Sequence, residues 1–335
     1  MAVTLRQVAQ MSGVSVRTVS NVVNGFHHVA PETRERVQLV LDAVGYRPNA
    51  AARSLRTGRT GLVGLVVPAL DQPYFAELTR AIVAHATEQG FTVVVDQTDG
   101  DPERERDLLA AGPRGAMFDG LILNPLALNL ADLEASPERR PVVLLGERTL
   151  STRHDHVHID NVAAARAATQ HLISLGRRTI AGIGSQDSPS GQSARLRAEG
   201  MMTALAEAGL PAHPALLRTA PRYDRTVGYQ QMMALLDGAI TPDAVFCFSD
   251  MLAVGALRAC AERGVRVPQD IALIGFDDVE ETRFTTPSLS TIRPDKDAIA
   301  RSAVERMVAR MQGDDSPGIE VEIPFELVAR ESTGA

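Results

Sequence analysis

The sequence predicts two architectures in one chain: an all-α head, residues 1–47, and a larger α/β body, residues 61–335, of two lobes with doubly wound parallel sheets. Three observations predict this. Residues 1–60 carry eight arginines and three acids, a balance of +5 in a chain of net −7, which leaves −12 on the other 275 residues. The hydrophobic pattern changes with the charge, from short helix-period stripes to apolar runs alternating with helix-length stretches. Finally, ~200 residues of that alternation exceed one comfortable core, so the body divides in two.

In the head, Thr4 and Gln7 form a capping box, and Leu5, Val8 and Ala9 make the apolar stripe of a first helix. Gly13 supplies the turn "SGV", and Ser15 caps a second helix. A third begins in "APETRERV". Pro31 suits a first helical turn, Val37, Val40, Leu41 and Val44 recur at helical spacing, and Gly45 ends it. On the second helix, within "VSVRTVSNVVN", Val19, Val22 and Val23 share a packing face. Val16, Ser20 and Asn24 form another stripe, with Arg17 and Asn21 beside it. That face is small, polar and hydrogen-bonding. It fits a DNA major groove, where Arg reads guanine, Asn reads adenine and a methyl group meets thymine. Helix, glycine turn, helix is the helix-turn-helix plan, and the basic balance favours a polyanion over a helical subdomain that binds nothing. The candidate DNA contacts here are Thr4, Ser15, Val16, Arg17, Thr18, Ser20, Asn21 and Asn24.

Residues 48–60 read as a hinge and linker. Pro48 and Asn49 start a helical run that reaches Leu55, too short to be stable alone in water. The expectation is a segment that is loose when free and helical when docked, with alanines that admit a twin helix. Leu55 is its apolar tip, suited to wedge between base steps from the minor groove, while Arg53, Arg56 and Arg59 hold phosphates. Asn49, Arg53 and Leu55 therefore join the candidate DNA contacts. A plain linker is the competing reading.

"TLRQVAQMSGVSVRTVSNVVN", followed by "TRERVQLVLDAVGYRPNAAARSL", resembles the head of the lactose-repressor/galactose-repressor family of bacterial transcription regulators. The resemblance covers the whole head. It places Val16, Arg17 and Asn21 where the family's main base-reading residues lie, and Leu55 where its hinge leucine enters the central CG step of a palindromic operator. Position 21 is often Arg in that family, and Asn21 departs from the pattern. The resemblance implies a homodimeric repressor of double-stranded DNA, governed by a small molecule.

The body begins with "GLVGLVVP", which reads as a buried parallel strand, followed by a helix at 74–89. "FTVVVDQT", a helix near 102–111, "GLILN" and "PVVLLG" continue the alternation. "VHIDN" leads to a helix at 161–175. Then come "TIAGIGS", a helix at 191–208, a strand near 215–219, a helix at 225–237, "AVFCFS", a helix at 250–263 and "IALIGFDD". "IEVEIPFELVA" is the last strand, and no heptad repeat follows it to form a tetramerising coiled coil. In such sheets ligands gather at the carboxyl ends of the strands, here between the lobes.

The body resembles the same family's effector domain, itself similar to periplasmic sugar-binding proteins, through "DQPYFAELTRAI", "SARLRAEGMMTAL", "FSDMLAVGALRA" and "IALIGFDD". The family pattern implies three crossings between lobes, near 160, 290 and 320. Lobe one is then 61–160 with 291–320, and lobe two 161–290 with 321–335. The implied effector residues are Tyr74, Phe75, Glu147, Arg197, Tyr223, Ser249 and Asp277. Tyr74 stacks on a sugar's C–H face, whereas Phe75 also reads as core. Arg197 brings a planar fork of donors and prevails over Arg195 on the motif. Asp277 accepts two hydroxyl protons, and Asp278 steadies the next loop. Ser249 stands where the family often has Asn, which implies a different or larger ligand; Asp250 caps the following helix. A sugar or sugar derivative is the favoured effector, with a purine or amino-acid-like molecule as the alternative. The direction of control, induction or corepression, stays open.

Composition narrows the remaining classes. The chain is 44% hydrophobic and 22% charged, ordinary for a globular protein, and has neither a signal-peptide pattern nor an apolar run of membrane-spanning length, so a cytoplasmic protein without a membrane partner is expected. Cys247 and Cys260 lack metal-ligand spacing and read as core thiols. "HDHVH" alternates His154, His156 and His158 as a metal strand would, but reads better as a solvent-facing segment, so no metal or cofactor is expected. No G-x-S-x-G elbow, Walker loop or G-x-G-x-x-G follows a strand, and an enzyme is disfavoured. The alternative is a sugar-binding module without a transcriptional role, against which the head argues.

Overall fold

Three helices form where the stripes of the head predict them: α1 (Leu5–Ser12), α2 (Val16–Val23) and α3 (Pro31–Ala43). The capping box at α1 is complete. Thr4 N donates to Gln7 Oε1 at 2.8 Å, and Gln7 N donates to Thr4 Oγ1 at 3.4 Å. Gly13 takes the left-handed conformation, φ 66°, that only glycine adopts without strain, and so turns the chain. Ser15 Oγ accepts from Thr18 N at 3.1 Å and starts α2. Val8, Ala9, Val19, Val22, Val37 and Leu41 close the core of this unit. The structure, a computed structural model, describes residues 3–23, 26, 28–46, 58–110, 117–135, 140–147, 153–188 and 190–334, and the chain divides into two units, Met1–Thr60 and Gly61–Ala335.

In the second unit the described residues form two six-stranded sheets, one per lobe. The first runs through β1 (Leu62–Val67), α4 (Pro73–Glu88), β2 (Thr92–Gln97), α5 (Pro102–Leu109), β3 (Gly120–Leu123), α6 (Leu130–Ala135), β4 (Val142–Leu145) and β5 (Asp155–His158). The chain then enters lobe two as α7 (Asn161–Ser174), β6 (Ile180–Ser185), α8 (Gln192–Glu207), β7 (Leu217–Thr219), α9 (Arg225–Leu236), β8 (Ala244–Cys247), α10 (Asp250–Glu262), β9 (Ala272–Phe276) and β10 (Ser290–Pro294). It returns to lobe one for α11 (Lys296–Met311) and β11 (Glu320–Glu322), and ends in lobe two with β12 (Phe325–Val328). The strand orders are β11-β5-β4-β3-β1-β2 and β12-β10-β9-β8-β6-β7.

Strand alternation sorts the cores. Leu65 and Val67 face Leu78 and Ile82 of α4, while Val66, between them, joins Leu108, Leu121, Leu123 and Leu144 on the other face. In lobe two, Phe246 and Ile274 line one face, and Val245, Cys247 and Leu273 line the other, with Cys260 beside them. Both thiols are buried in this core. Helices α9 and α10 touch through Gly228 and Gly255: a Cβ at either would lie 2.1 or 2.0 Å from a carbonyl oxygen of the facing helix.

Four expectations change. Every pairing among neighbouring strands is parallel except β10 with β12, because β12 arrives directly from lobe one instead of through a crossover helix. The lobe bounds move by a few residues: 291–294 belong to lobe two, since β10 pairs with β9, and 321–322 to lobe one, since β11 pairs with β5. "IEVEIPFELVA" is two strands in different sheets, separated at Pro324, whose missing N–H interrupts a ladder. The histidines of "HDHVH" do not face solvent. β5 lies between β4 and β11, His154 and His156 are buried, and the His156 and His158 rings stack 4.8 Å apart. Among the described residues no three histidine, cysteine or acidic side chains come together to hold a metal. Nor is any described helix long and apolar enough to cross a membrane.

Candidate functional site: an exposed helix face and an interlobe cleft

On the head, α2 divides as its sequence implies. Val19 and Val22 are buried, whereas Val16 and Arg17 are exposed side by side in its first turn. Thr18, Ser20 and Asn21 are half-buried at the border between the faces. Thr4 and Ser15 stand exposed at the starts of α1 and α2, where their hydroxyls engage the helix ends. Asn24, Asn49, Arg53 and Leu55 lie outside the described residues.

The body holds a cavity of about 380 Å³ at the carboxyl ends of both sheets. All seven expected cleft residues line it: Tyr74, Phe75, Glu147, Arg197, Tyr223, Ser249 and Asp277. Tyr74 and Phe75 open α4 after β1, with ring centroids 5.2 Å apart, edge to face. Glu147 follows β4, Ser249 follows β8 and Asp277 follows β9. Burial raises the phenol pKa values of Tyr74 and Tyr223, so both rings stay neutral. The Tyr223 hydroxyl donates to Gly184 O at 2.8 Å, which fixes its ring.

Arg197 is the most constrained of these residues. Its guanidinium carbon sits 3.5 Å from the Phe276 ring centroid, its Nε donates to Asn161 Oδ1 at 2.7 Å, and Nη1 donates to the Phe248 carbonyl. Asn161 donates in turn to Glu147 Oε1 at 2.5 Å, and Ser193 Oγ donates to Glu147 Oε2 at 2.6 Å. Glu147 thus reaches from lobe one to two partners in lobe two. Arg195, the rival by sequence, is exposed and donates to Ser188 O at 2.8 Å, away from the cavity.

Asp277 differs from the other polar groups. Its backbone N–H donates to Ile292 O at 2.8 Å, yet its carboxylate has no hydrogen-bond donor among the described residues. Its φ is 118°, a strained value for a residue with a Cβ. Its pKa is pushed up to about 6, chiefly by burial; Arg197 and Lys296 pull it down, and Glu147 and Glu77 push it up. A strained, underserved acceptor in a cavity is placed for something other than the fold.

Two expectations at neighbouring positions resolve differently. Ser249, not Asp250, caps α10, accepting from Met251 N at 3.2 Å. Asp250 points inward instead, accepting from Thr291 Oγ1 at 2.7 Å and Val279 N at 3.0 Å. Asp278 does bind the following loop through Thr282, but its stronger partners are Arg293 at 2.6 Å and Arg330 at 2.5 Å. Gln97, Asn124 and Ser193 also line the cavity and were not anticipated. Asn161, which joins Arg197 to Glu147, lay in plain view as the last residue of "VHIDN".

Residues 4–49 match the family described as bacterial regulatory proteins, lacI family, and residues 169–333 match a periplasmic binding protein-like domain. The HTH-type transcriptional repressor PurR of Haemophilus influenzae (strain PittEE) is 32% identical over 335 residues, which span 98% of each chain. The chain belongs to the lacI family. Its solved relatives agree. A Lac repressor dimer bound to operator and the anti-inducer ONPF superposes with a TM-score of 0.86 at 30% identity, covering 100% of both chains. A CelR–cellobiose complex, described as a transcriptional regulator, superposes at 0.73 with 29% identity, covering 98% of this chain and 99% of that one. As a lacI-family member the chain is a transcriptional repressor with an effector-binding domain, not an enzyme.

Proposed function

We propose that this repressor binds a palindromic operator as a homodimer and is controlled by a neutral, hydroxyl-rich small molecule, a sugar or sugar derivative, held between its lobes. The observation that carries the ligand reading is the Asp277 carboxylate, which lines the cavity without a hydrogen-bond donor among the described residues, while Arg197 in the same cavity is held by Asn161. An ionised carboxylate accepts from two vicinal hydroxyls, and the Tyr74, Phe75 and Tyr223 rings supply the apolar faces that a sugar ring needs. Support also comes from the relative solved with cellobiose. The similarity to PurR favours the second reading, a ligand of another class, which the same acceptor would engage through N–H donors.

On the DNA side, Arg17, Val16 and Asn21 read the major groove, supported by Thr4, Ser15, Thr18, Ser20 and Asn24. Residues 48–60 act as the hinge, with Leu55 entering the minor groove beside Asn49 and Arg53. The effector acts by preferring one lobe arrangement, because equal affinity for both would shift nothing. The test is selection of random duplex DNA by the purified ligand-free protein, followed by calorimetry with sugars and nucleobases. A two-fold symmetric site together with binding of a neutral sugar is expected. A non-symmetric site would sink the dimer reading, and binding of a nucleobase alone would sink the sugar reading. Leu55→Ala should weaken specific binding far more than non-specific binding; equal weakening would remove the wedge.

A further inference from the structure

Lys296 is the only lysine in the chain and opens α11, directly after the second crossing between lobes. Its ammonium makes three contacts at once. It pairs with Glu77 Oε2 of α4 at 2.7 Å, and it donates to the carbonyl oxygens of Asp277 at 2.6 Å and Asp278 at 2.9 Å. Glu77 completes the clasp through its other oxygen, which accepts from Glu280 N at 2.9 Å. Lys296 and Glu77 belong to lobe one, whereas residues 277–280 are the turn after β9 in lobe two. The same ammonium lies 5.8 Å from the Tyr74 ring centroid. The two side chains are 14% and 23% exposed, so solvent screens this pair less than an ordinary surface pair.

The turn needs such a clasp. Asp277 and Asp278 both have positive φ, 118° and 46°, which neither side chain favours. Strain of this kind persists only where surrounding contacts over-determine it.

We propose that Lys296 is a positioning residue of the effector cleft: with Glu77 it holds the strained turn that presents Asp277, and so ties the placement of this acceptor to the closure of the two lobes. The proposal rests on the cleft being the effector site, but its test needs no ligand. The groups facing Asp277 are Arg197 of α8, Glu147 after β4, Glu77 and Tyr74 of α4, Tyr223 before α9, Asp250 of α10 and Lys296 itself. Removing the cation that binds both carbonyls of the turn therefore loosens the turn and moves the protonation midpoint of Asp277 upward, while Arg293 and Arg330 still hold the Asp278 carboxylate.

The experiment compares the full-length wild type with Lys296→Met, Lys296→Arg and Glu77→Gln. Hydrogen exchange is followed across the body, and the Asp277 carboxyl is titrated by NMR. In Lys296→Met, exchange at Asp278 and Glu280 should rise at least tenfold while the strands keep their rates, and the midpoint should move up. Lys296→Arg should restore the midpoint. Unchanged exchange with an unmoved midpoint overturns the proposal, as does a uniform rise across the body, the signature of a pair that merely stabilises. If Lys296→Met does not fold, Glu77→Gln decides. Faster exchange confined to residues 277–281 supports the clasp, and wild-type exchange there overturns it.

Discussion

The head and the cleft are both recognition surfaces, and they are built in opposite ways. On α2 the proposed reading side chains Val16 and Arg17 stand exposed over a very small core. In the cleft Arg197 is buried, oriented by Asn161, Phe248 and Phe276, and Glu147 accepts from Asn161 and Ser193. The first surface leaves its side chains to be ordered and desolvated by the partner; the second has buried and fixed its rotamers beforehand. Binding by the head should accordingly lose affinity steeply with salt, and binding by the cleft only weakly. Mutations should separate along the same line.

The largest expected effect is in the head. Val19→Asp puts a charge into a fully buried site and should cost on the order of 4 kcal/mol, more than so small a core can supply. DNA binding should vanish, by gel shift, while calorimetry still shows effector binding. Loss of both would break the comparison, because the two surfaces would then share one folding unit.

Next comes Asp277→Asn. It should abolish the effector's influence on DNA binding and leave ligand-free DNA binding near normal. Its stability should move the other way. The folded pKa of Asp277, about 6, lies above that of an unfolded aspartate, so ionisation at neutral pH works against the folded state. The wild-type contribution is fully present below about pH 4 and is lost as pH rises through about 6. The asparagine variant should thus gain on the order of 2 kcal/mol at pH 7.5, fading below pH 5, by urea denaturation. Effector affinity in the wild type should fall as pH drops through about 6, where the acceptor protonates. A ligand that binds equally at pH 5 and pH 7.5 would show that ionised Asp277 is not its acceptor.

Arg17→Ala should cost roughly 1–3 kcal/mol of specific DNA affinity and little non-specific affinity, measured by competition. The smallest expected effect is Ser249→Ala. It removes the cap of α10, so the body should lose ~1 kcal/mol of stability, with effector affinity changed less than by Asp277→Asn.

What could be read from the chain in advance follows the same division. The head was legible because its helices are local: a capping box, a glycine turn and valines at helical spacing specify them within a few residues. In the body, β1 to β4, β6, β8 and β9 were legible as apolar runs, and six helices between the strands followed from the alternation; α6 was not read, and β5 was taken for a solvent-facing segment. α11 was not legible, because "KDAIARSAVERMVARM" blunts its stripe with alanines and spreads its charges around the helix. The cleft side chains followed from strand ends and family pattern, which name positions. Partners follow from tertiary folding, so the chain from Arg197 through Asn161 to Glu147 and the clasp of Lys296 on Glu77 were invisible: members of each lie far apart in sequence. Asp250 shows the local rule losing. An acid beside a helix start normally caps it, but here Thr291 and Val279 claim the carboxylate.

The triple crossing also governs how the protein can be made. Lobe one starts first on the ribosome yet waits for α11 and β11, at Lys296–Met311 and Glu320–Glu322, before its sheet and cover are complete. Lobe two, begun later, waits for β12 at Phe325–Val328. Neither lobe corresponds to a continuous stretch of gene, so neither can be exchanged with a paralogue, or truncated, by a single cut. A chain stalled before Lys296 carries a nearly complete second lobe and a first lobe with its α4 face uncovered, which makes the last forty residues the point at which synthesis commits the body to its fold.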